Sequence, residues 1–204
     1  MAVITISRQF GAGGKTLGSL IAQKLGYTFI DDAIINKVAE KVKVSDDWVH
    51  SIETEAGGKL MNFISKLVSK SFMERLLDDS KGYIDEEIYI DALKEVFEKF
   101  AEEGNCVILG RGGQYFLQNR ENTFHVLMLA ELEDRIKFME DHYKLLPTEA
   151  RNTVMARDKK RHNLYMKIGN ENFESPGLYN ITLNMSRLTM NKAAEIVCAL
   201  VKNK

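Results

Sequence analysis

The sequence is poor in cysteine and proline, with two of each among 204 residues. Cys106 and Cys198 sit in apolar runs without metal-type spacing, which points away from a disulfide or zinc framework and towards buried free thiols in a reducing cytoplasm. Pro147 and Pro176 adjoin no low-complexity stretch, and no repeat or linker divides the chain. An excess of one charge is also missing: 28 Lys and Arg face 29 Asp and Glu. That balance argues against a nucleic-acid partner held by bulk charge. No apolar run approaches the roughly 20 residues that span a bilayer. The first residues lack a signal-peptide pattern, because their apolar positions are few and alternate. No membrane partner is expected, and the length suits one domain, 1–204, that buries its core without staples.

What the chain does have is concentrated at its start. The apolar run Val3-Ile4-Thr5-Ile6 leads into Ser7-Arg8-Gln9-Phe10-Gly11-Ala12-Gly13-Gly14-Lys15-Thr16, and a helical pattern follows over 17–25. Strand, glycine-rich turn, Lys-Thr and helix, in that order, describe a phosphate cradle whose natural occupant is a nucleoside triphosphate. Gly11, Gly13 and Gly14, with Ala12 among them, let backbone N–H groups point inward without Cβ clashes. The helix N-terminus adds partial positive charge, Lys15 supplies a mobile cation, and the Thr16 hydroxyl can ligate Mg²⁺. Arg8, at the mouth of the loop, is a second candidate phosphate cation, because a guanidinium binds phosphate as a fork. The match to G-x-x-x-x-G-K-[ST] is incomplete. The pattern wants glycine at position 9, where Gln9 stands; a register one earlier puts Arg8 at the glycine and Gly14 at the lysine. An ordinary tight turn between strand and helix is the competing reading.

Further along, 27–30 reads as a second strand ending in Asp31-Asp32, and 33–43 as a helix. Residues 45–80 carry a strongly apolar helical face broken at Gly57-Gly58 and read as an inserted helical segment. A long helix over 85–103 stops at Gly104, which takes the usual C-terminal cap role. The continuous apolar strand Cys106–Leu109 runs into Gly110-Arg111-Gly112-Gly113. Another strand over 124–129 precedes helices over 131–143 and 148–167, and a strand near 179–184 and a helix near 191–201 close the chain. Alternating buried strands and helices predict an α/β fold, a parallel sheet with helices on both faces.

In such sheets ligands bind beyond the C-terminal strand ends, where the 11–16 loop, Asp31-Asp32, Gly110-Arg111 and Asn184-Met185-Ser186 all fall. Either aspartate can cap the next helix or touch a ligand. Arg111 follows a buried strand, between glycines, where a guanidinium has no apolar use; it reads as an anion ligand rather than a structural ion pair. On the helix after Pro147, Arg157 and Arg161 are four apart, Asp158 lies three before Arg161, and Tyr165 continues the stripe, whereas Arg151 falls on another side. A helix of this kind can close over a transferring phosphoryl group; internal salt bridges are the alternative use of its arginines. Lys159 and Lys160 read as a solvated face. The histidines show no metal or triad spacing, and Cys106, inside a strand, is a poor nucleophile.

With those residues in view, the chain resembles the cytidylate kinase-like family of P-loop nucleoside monophosphate kinases. The likeness is carried by Ile6-Ser7-Arg8-Gln9-Phe10-Gly11-Ala12-Gly13-Gly14-Lys15, by Phe29-Ile30-Asp31-Asp32, by Val107-Ile108-Leu109-Gly110-Arg111-Gly112 and by Arg157-Asp158-Lys159-Lys160-Arg161. It implies a P-loop NTPase-type open sheet of about five strands, a helical nucleotide-monophosphate-binding insert at 45–80 and an arginine-bearing lid at 143–170. By the same resemblance, the loop from Gly11 to Thr16 holds the ATP phosphates and Thr16 the Mg²⁺. Asp32 and Arg111 face the acceptor nucleotide, and Lys15, Arg111, Arg157 and Arg161 serve catalysis. The chain departs from the family at two places. Cytidylate kinases carry the lysine one step earlier, where this chain has Gly14, and an aspartate after the Gly-Arg pair, where it has Gly112.

The expected activity is therefore ATP-dependent phosphoryl transfer to a nucleoside monophosphate, CMP or dCMP by the resemblance. A non-catalytic nucleotide-binding sensor and a kinase of another small metabolite stay open beside it. The apolar stripe within 60–77 suits core packing, a homodimer interface or a partner protein equally.

Overall fold

The computed structural model describes residues 1–31, 86–168 and 172–202; Asp32, the 33–43 helix and the insert expected at 45–80 lie outside the described residues. Five strands form one sheet: β1 (Val3–Arg8), β2 (Thr28–Ile30), β3 (Cys106–Leu109), β4 (Thr123–Leu129) and β5 (Ile181–Asn184). All pairs are parallel and the order is β2-β3-β1-β4-β5, so the expected open sheet is present. The helices are α1 (Gly14–Leu25), α2 (Glu86–Glu103), α3 (Gly113–Phe116), α4 (Leu132–Tyr143), α5 (Pro147–Lys167) and α6 (Met190–Lys202).

The central strand explains the architecture. Ile4, Thr5, Ile6 and Ser7 are all almost fully buried, because β1 is covered on both faces and flanked on both edges. Side chains alternate along it. Ile4 and Ile6 join Leu17 and Ile21 of α1 and Ala193 and Val197 of α6 in one apolar cluster. Thr5 and Ser7 turn to the other face, where Thr5 Oγ1 hydrogen-bonds His125 Nδ1 at 2.7 Å and Ser7 Oγ hydrogen-bonds Tyr165 Oη of α5 at 3.2 Å. Burial holds His125 below its usual range.

Two boundaries differ from the sequence reading in ways that matter. Helix α1 begins at Gly14 rather than near 17, with Gly13 in the left-handed region as its N-terminal cap. Lys15 and Thr16 therefore sit inside its first turn. Strand β5 begins at Ile181 rather than 179, because a short 3₁₀ turn over Pro176–Leu178 turns Tyr179 away, its hydroxyl donating to the Phe173 carbonyl at 2.5 Å. Among the described residues no helix is long and apolar enough to cross a membrane. Both cysteines are free and buried, and burial pushes the Cys106 thiol up to about 12, which keeps it protonated and inert.

The chain leaves β1 towards β2 on one side and leaves β4 towards β5 on the other. Beyond their C-terminal ends the two connections diverge and open a crevice. The phosphate-type loop follows β1 and stands at its mouth.

Candidate active site

The loop between β1 and α1 is fastened at several points. Gln9 donates its backbone N–H to the Met128 carbonyl at 3.0 Å and its side-chain oxygen accepts from Ala130 N–H at 3.1 Å. Position 9 is where the glycine pattern fails, and the structure shows that the glutamine there ties the loop to the end of β4. Phe10 N–H donates to Asp158 Oδ1 of α5 at 2.9 Å, and the Phe10 carbonyl accepts from Arg135 of α4 at 3.1 Å. Ala12 turns its methyl into the core and gives its N–H to the Gln9 carbonyl at 3.2 Å. Gly11 adopts φ +87°, and a Cβ there would lie 2.8 Å from the Arg135 carbonyl oxygen. Only glycine meets both conditions, because an L-residue is strained at that φ and the obstacle is backbone.

This loop and the first turn of α1 line a cavity of about 190 Å³ with Arg8, Gly11, Gly13, Gly14, Lys15, Thr16 and Arg157. Phe138, Met139 and Tyr143 of α4 supply its apolar wall. The helix N-terminus opens into it, as an anion site requires. Lys15 Nζ lies 2.9 Å from Asp31 Oδ2, a carboxylate 12% exposed at the end of β2. Its neighbour Asp32, the residue expected to face an acceptor, is outside the described residues.

A second cavity of about 120 Å³ is lined by Arg8, Phe10, Arg111, Arg157, Asp158, Lys160, Arg161, Leu164 and Tyr165. The two cavities share Arg8, Phe10 and Arg157. Arg111 reaches it from the β3 turn, in the left-handed region at φ +56° between Gly110 and Gly112, both at φ +81°. Arg157 stands over the Phe10 ring at 5.6 Å, and Arg161 over the Phe173 ring at 5.0 Å. Arg161 pairs with Glu174, whose other oxygen accepts from Gln9 Nε2 at 3.4 Å. Yet Arg161 Nε and Nη1 are buried without a hydrogen-bond partner. Among the described residues lining this cavity, Arg8, Arg111, Arg157, Lys160 and Arg161 are cationic and Asp158 is the one carboxylate, already serving Arg135 at 2.5 Å and Phe10 N–H, while Glu174 pairs with Arg161 from outside the lining. Such a cluster is relieved by an anion, which would also satisfy the unpaired guanidinium donors.

Sequence reasoning thus brought together Arg8, the glycines, Lys15, Thr16, Arg111, Arg157 and Arg161, and Arg151 does lie elsewhere, paired with Glu133 at 2.6 Å. Lys160 is exposed, as expected of a solvated face, and also lines the rim of the cation cavity. Asn184 and Ser186 serve the backbone: Ser186 Oγ accepts from Glu131 N–H at 2.8 Å, at the start of α4, and Asn184 Oδ1 accepts from Ser186 N–H at 3.1 Å. The residues that were missed are Arg135, Glu174 and the structural role of Asp158.

A model of the cytidylate kinase-like family matches residues 3–187. The chain belongs to the cytidylate kinase-like family. The match takes in β1, the loop, α1, both cavities and α5, so the site just described is part of the shared domain. Among solved structures, the fold is similar to that of an uncharacterized protein from Eubacterium ventriosum ATCC 27560, with a TM-score of 0.69, 19% identity and coverage of 100% of this chain and 99% of that one. It is similar to shikimate kinase from Bacteroides thetaiotaomicron, with a TM-score of 0.50, 17% identity and 98% of both chains covered. A gluconokinase from Sinorhizobium meliloti 1021 gives a TM-score of 0.50, 13% identity and coverage of 99% and 94%. At these identities the likeness concerns the fold. No curated protein sequence matches the chain.

Magnesium, which the family implies, is compatible with the donor set. No group of three His, Cys, Asp or Glu side chains able to hold a metal occurs among the described residues, while Thr16, which carries a hydroxyl, lines the cradle. A hard cation that keeps its waters and takes most other ligands from phosphate needs little more from the protein.

Proposed function

We propose that the protein is an ATP-dependent phosphotransferase acting on a small anionic acceptor. The observation that carries this reading is the pair of cavities joined through Arg8, Phe10 and Arg157. One is built largely from backbone and glycine at a helix N-terminus and suits the triphosphate of ATP. The other presents Arg111, Arg157, Lys160 and Arg161 and suits a second anion. Two anion-binding cavities with shared cations at their junction supply the positioning and charge neutralisation that phosphoryl transfer requires.

In this reading an acceptor oxygen forms a bond to the γ-phosphorus as the bond to the bridging oxygen breaks, and ADP leaves with that electron pair. An acceptor phosphate oxygen is ionised at neutral pH and needs no general base; a hydroxyl acceptor would release its proton to solvent. The chain's own contribution is alignment and charge neutralisation. The loop holds the donor, Arg111 and Arg161 hold the acceptor, and Arg157, stacked on Phe10, covers the junction. Thr16 would hold Mg²⁺, which when bound spreads the phosphate charge.

CMP and dCMP, the acceptors that the family resemblance implies, are the finer form of the proposal, with Asp32 and the 45–80 insert on the acceptor side. The shared fold of a shikimate kinase and a gluconokinase supports the wider class of small-molecule acceptors, so those two compounds belong beside the nucleotides in the test. ADP release is measured with Mg·ATP and CMP, dCMP, UMP, AMP, GMP, shikimate or gluconate, against an acceptor-free blank. Acceptor-dependent turnover is expected with one of these anions. Tight ATP binding with every rate at the blank would instead favour a nucleotide sensor.

A further inference from the structure

The lysine of the loop and the arginine before it occupy unexpected places. Lys15 is the second residue of α1, and its ammonium, on a side chain 67% exposed, pairs with Asp31 at 2.9 Å. It lines the donor cavity alone, whereas Arg8 lines both cavities. Two glycines make the space in which Arg8 lies. A Cβ on Gly14 would approach Arg8 Cγ to 2.9 Å and Cδ to 3.4 Å, and a Cβ on Gly110 would fall 2.2 Å from Arg8 Nη1 and 3.2 Å from Cζ. The aliphatic stem of Arg8 therefore rests on the first residue of α1, and its guanidinium rests on the turn after β3. That path crosses from the donor loop to the turn that carries Arg111.

We propose that Arg8, seated in the slot made by Gly14 and Gly110, is the catalytic cation that bridges the donor and acceptor phosphates, and that Lys15 is a donor-side residue paired with Asp31. This inference rests on the phosphotransferase reading. A cation at the junction meets charge that builds as the phosphoryl group moves, so it stabilises the transition state more than either ground state. A guanidinium suits the task because it can fork between two oxygens and stays charged. Gly14 has an ordinary helical role and no positive φ, so its lack of a side chain reflects close packing rather than backbone conformation: Arg8 Cγ at 2.9 Å and Leu109 Cδ1 at 3.1 Å fill the space a Cβ would take.

The test is a double-mutant cycle. Arg8→Ala should lower kcat by about 100-fold or more, as loss of a transition-state charge contact does, while ADP affinity stays within about threefold. Trapping of ADP with aluminium fluoride, a mimic of the transferring group, should be lost in step with kcat. Lys15→Ala should cost no more than about tenfold. Gly14→Ala, which keeps every backbone N–H but pushes on the Arg8 stem, should lower kcat in the wild-type background and have no further effect on Arg8→Ala. ADP binding by both variants reports that the loop is folded. An Arg8→Ala enzyme with near-wild-type kcat, or additive effects of the two substitutions, would overturn the inference. A wild type that binds ADP yet transfers to no acceptor would overturn the phosphotransferase reading itself, which is a different result.

Discussion

The two walls of the crevice are made differently. On the donor side, the loop from Arg8 to Thr16 has its glycines and backbone facing the cavity, and its neighbours are spent on holding it: Gln9 on Ala130, Phe10 on Asp158 and Arg135, Lys15 on Asp31. On the other side, α5 and the turn after β3 present long side chains, and Arg161 keeps two buried donors without partners. A backbone cradle has one shape and fits one invariant group. A wall of arginines on flexible stems is defined by charge, and its selectivity depends on what else approaches. The contrast teaches that the cavity proposed for the donor is encoded in main-chain geometry and the one proposed for the acceptor in side-chain electrostatics.

The comparison breaks most severely at Asp158, which belongs to both walls. Asp158→Ala leaves the Arg135 guanidinium, 9% exposed, without its carboxylate and frees Phe10 N–H. A loss of about 3–5 kcal/mol is expected, since an uncompensated buried charge remains; urea unfolding measures it, and a stable variant would show that the clamp is idle. Gly11→Ala comes next. Its Cβ would press on the Arg135 carbonyl at a φ hostile to alanine, so the free loop relaxes out of the cradle shape, and restoring that shape at a cost of about 3 kcal/mol lowers ADP affinity over 100-fold. Titration calorimetry reads it directly, and unchanged affinity would show that the cradle does not depend on its backbone. Arg161→Ala should act on the acceptor alone: KM for the acceptor rises about tenfold or more, the worth of a charged hydrogen bond, with ADP affinity held within about twofold. Equal losses for donor and acceptor would erase the distinction between the walls.

The smallest expected effect lies beneath both, at His125. Its folded pKa is depressed by burial below the usual 6.5, so the unfolded chain binds more protons as pH falls through that value. Stability is then full above about pH 6.5 and declines below it, by no more than about 1.4 kcal/mol per pH unit. His125→Gln should flatten this part of the profile in urea unfolding; an unchanged slope would place the acid sensitivity elsewhere.

The glycine-loop side was the more legible in sequence, because strand, glycines and helix are contiguous and their order carries the geometry. The five strands and the longer helices of the described residues were read to within a few positions for the same reason, whereas the one-turn helix Gly113–Phe116 was missed because four residues carry no periodicity. On the acceptor side the four-residue spacing of Arg157 and Arg161 placed them on one stripe, and the glycines around Arg111 marked it as unusual. What was not legible was the fastening. Gln9 looked like a defect in a pattern because its partners, Ala130 and Glu174, are distant in sequence. Asp158 and Arg135 meet across 23 positions, although two local signals existed: a lone carboxylate in a run of four basic residues at 157–161, and an arginine beside Ile136 on the buried stripe of α4. Glu174 lies in an irregular stretch without periodicity, where no sequence pattern points inward.

The measurement that tests the central claim most directly follows the γ-phosphoryl group itself. Wild-type protein is incubated with Mg·ATP labelled at the γ-position and a mixture of small anionic metabolites, nucleoside monophosphates included, and the products are separated. The two-cavity account predicts that the label leaves ATP and appears in one discrete small molecule, with ADP formed in equal amount. Label that stays on ATP, or is released only as inorganic phosphate, while the protein demonstrably binds ATP, would contradict it.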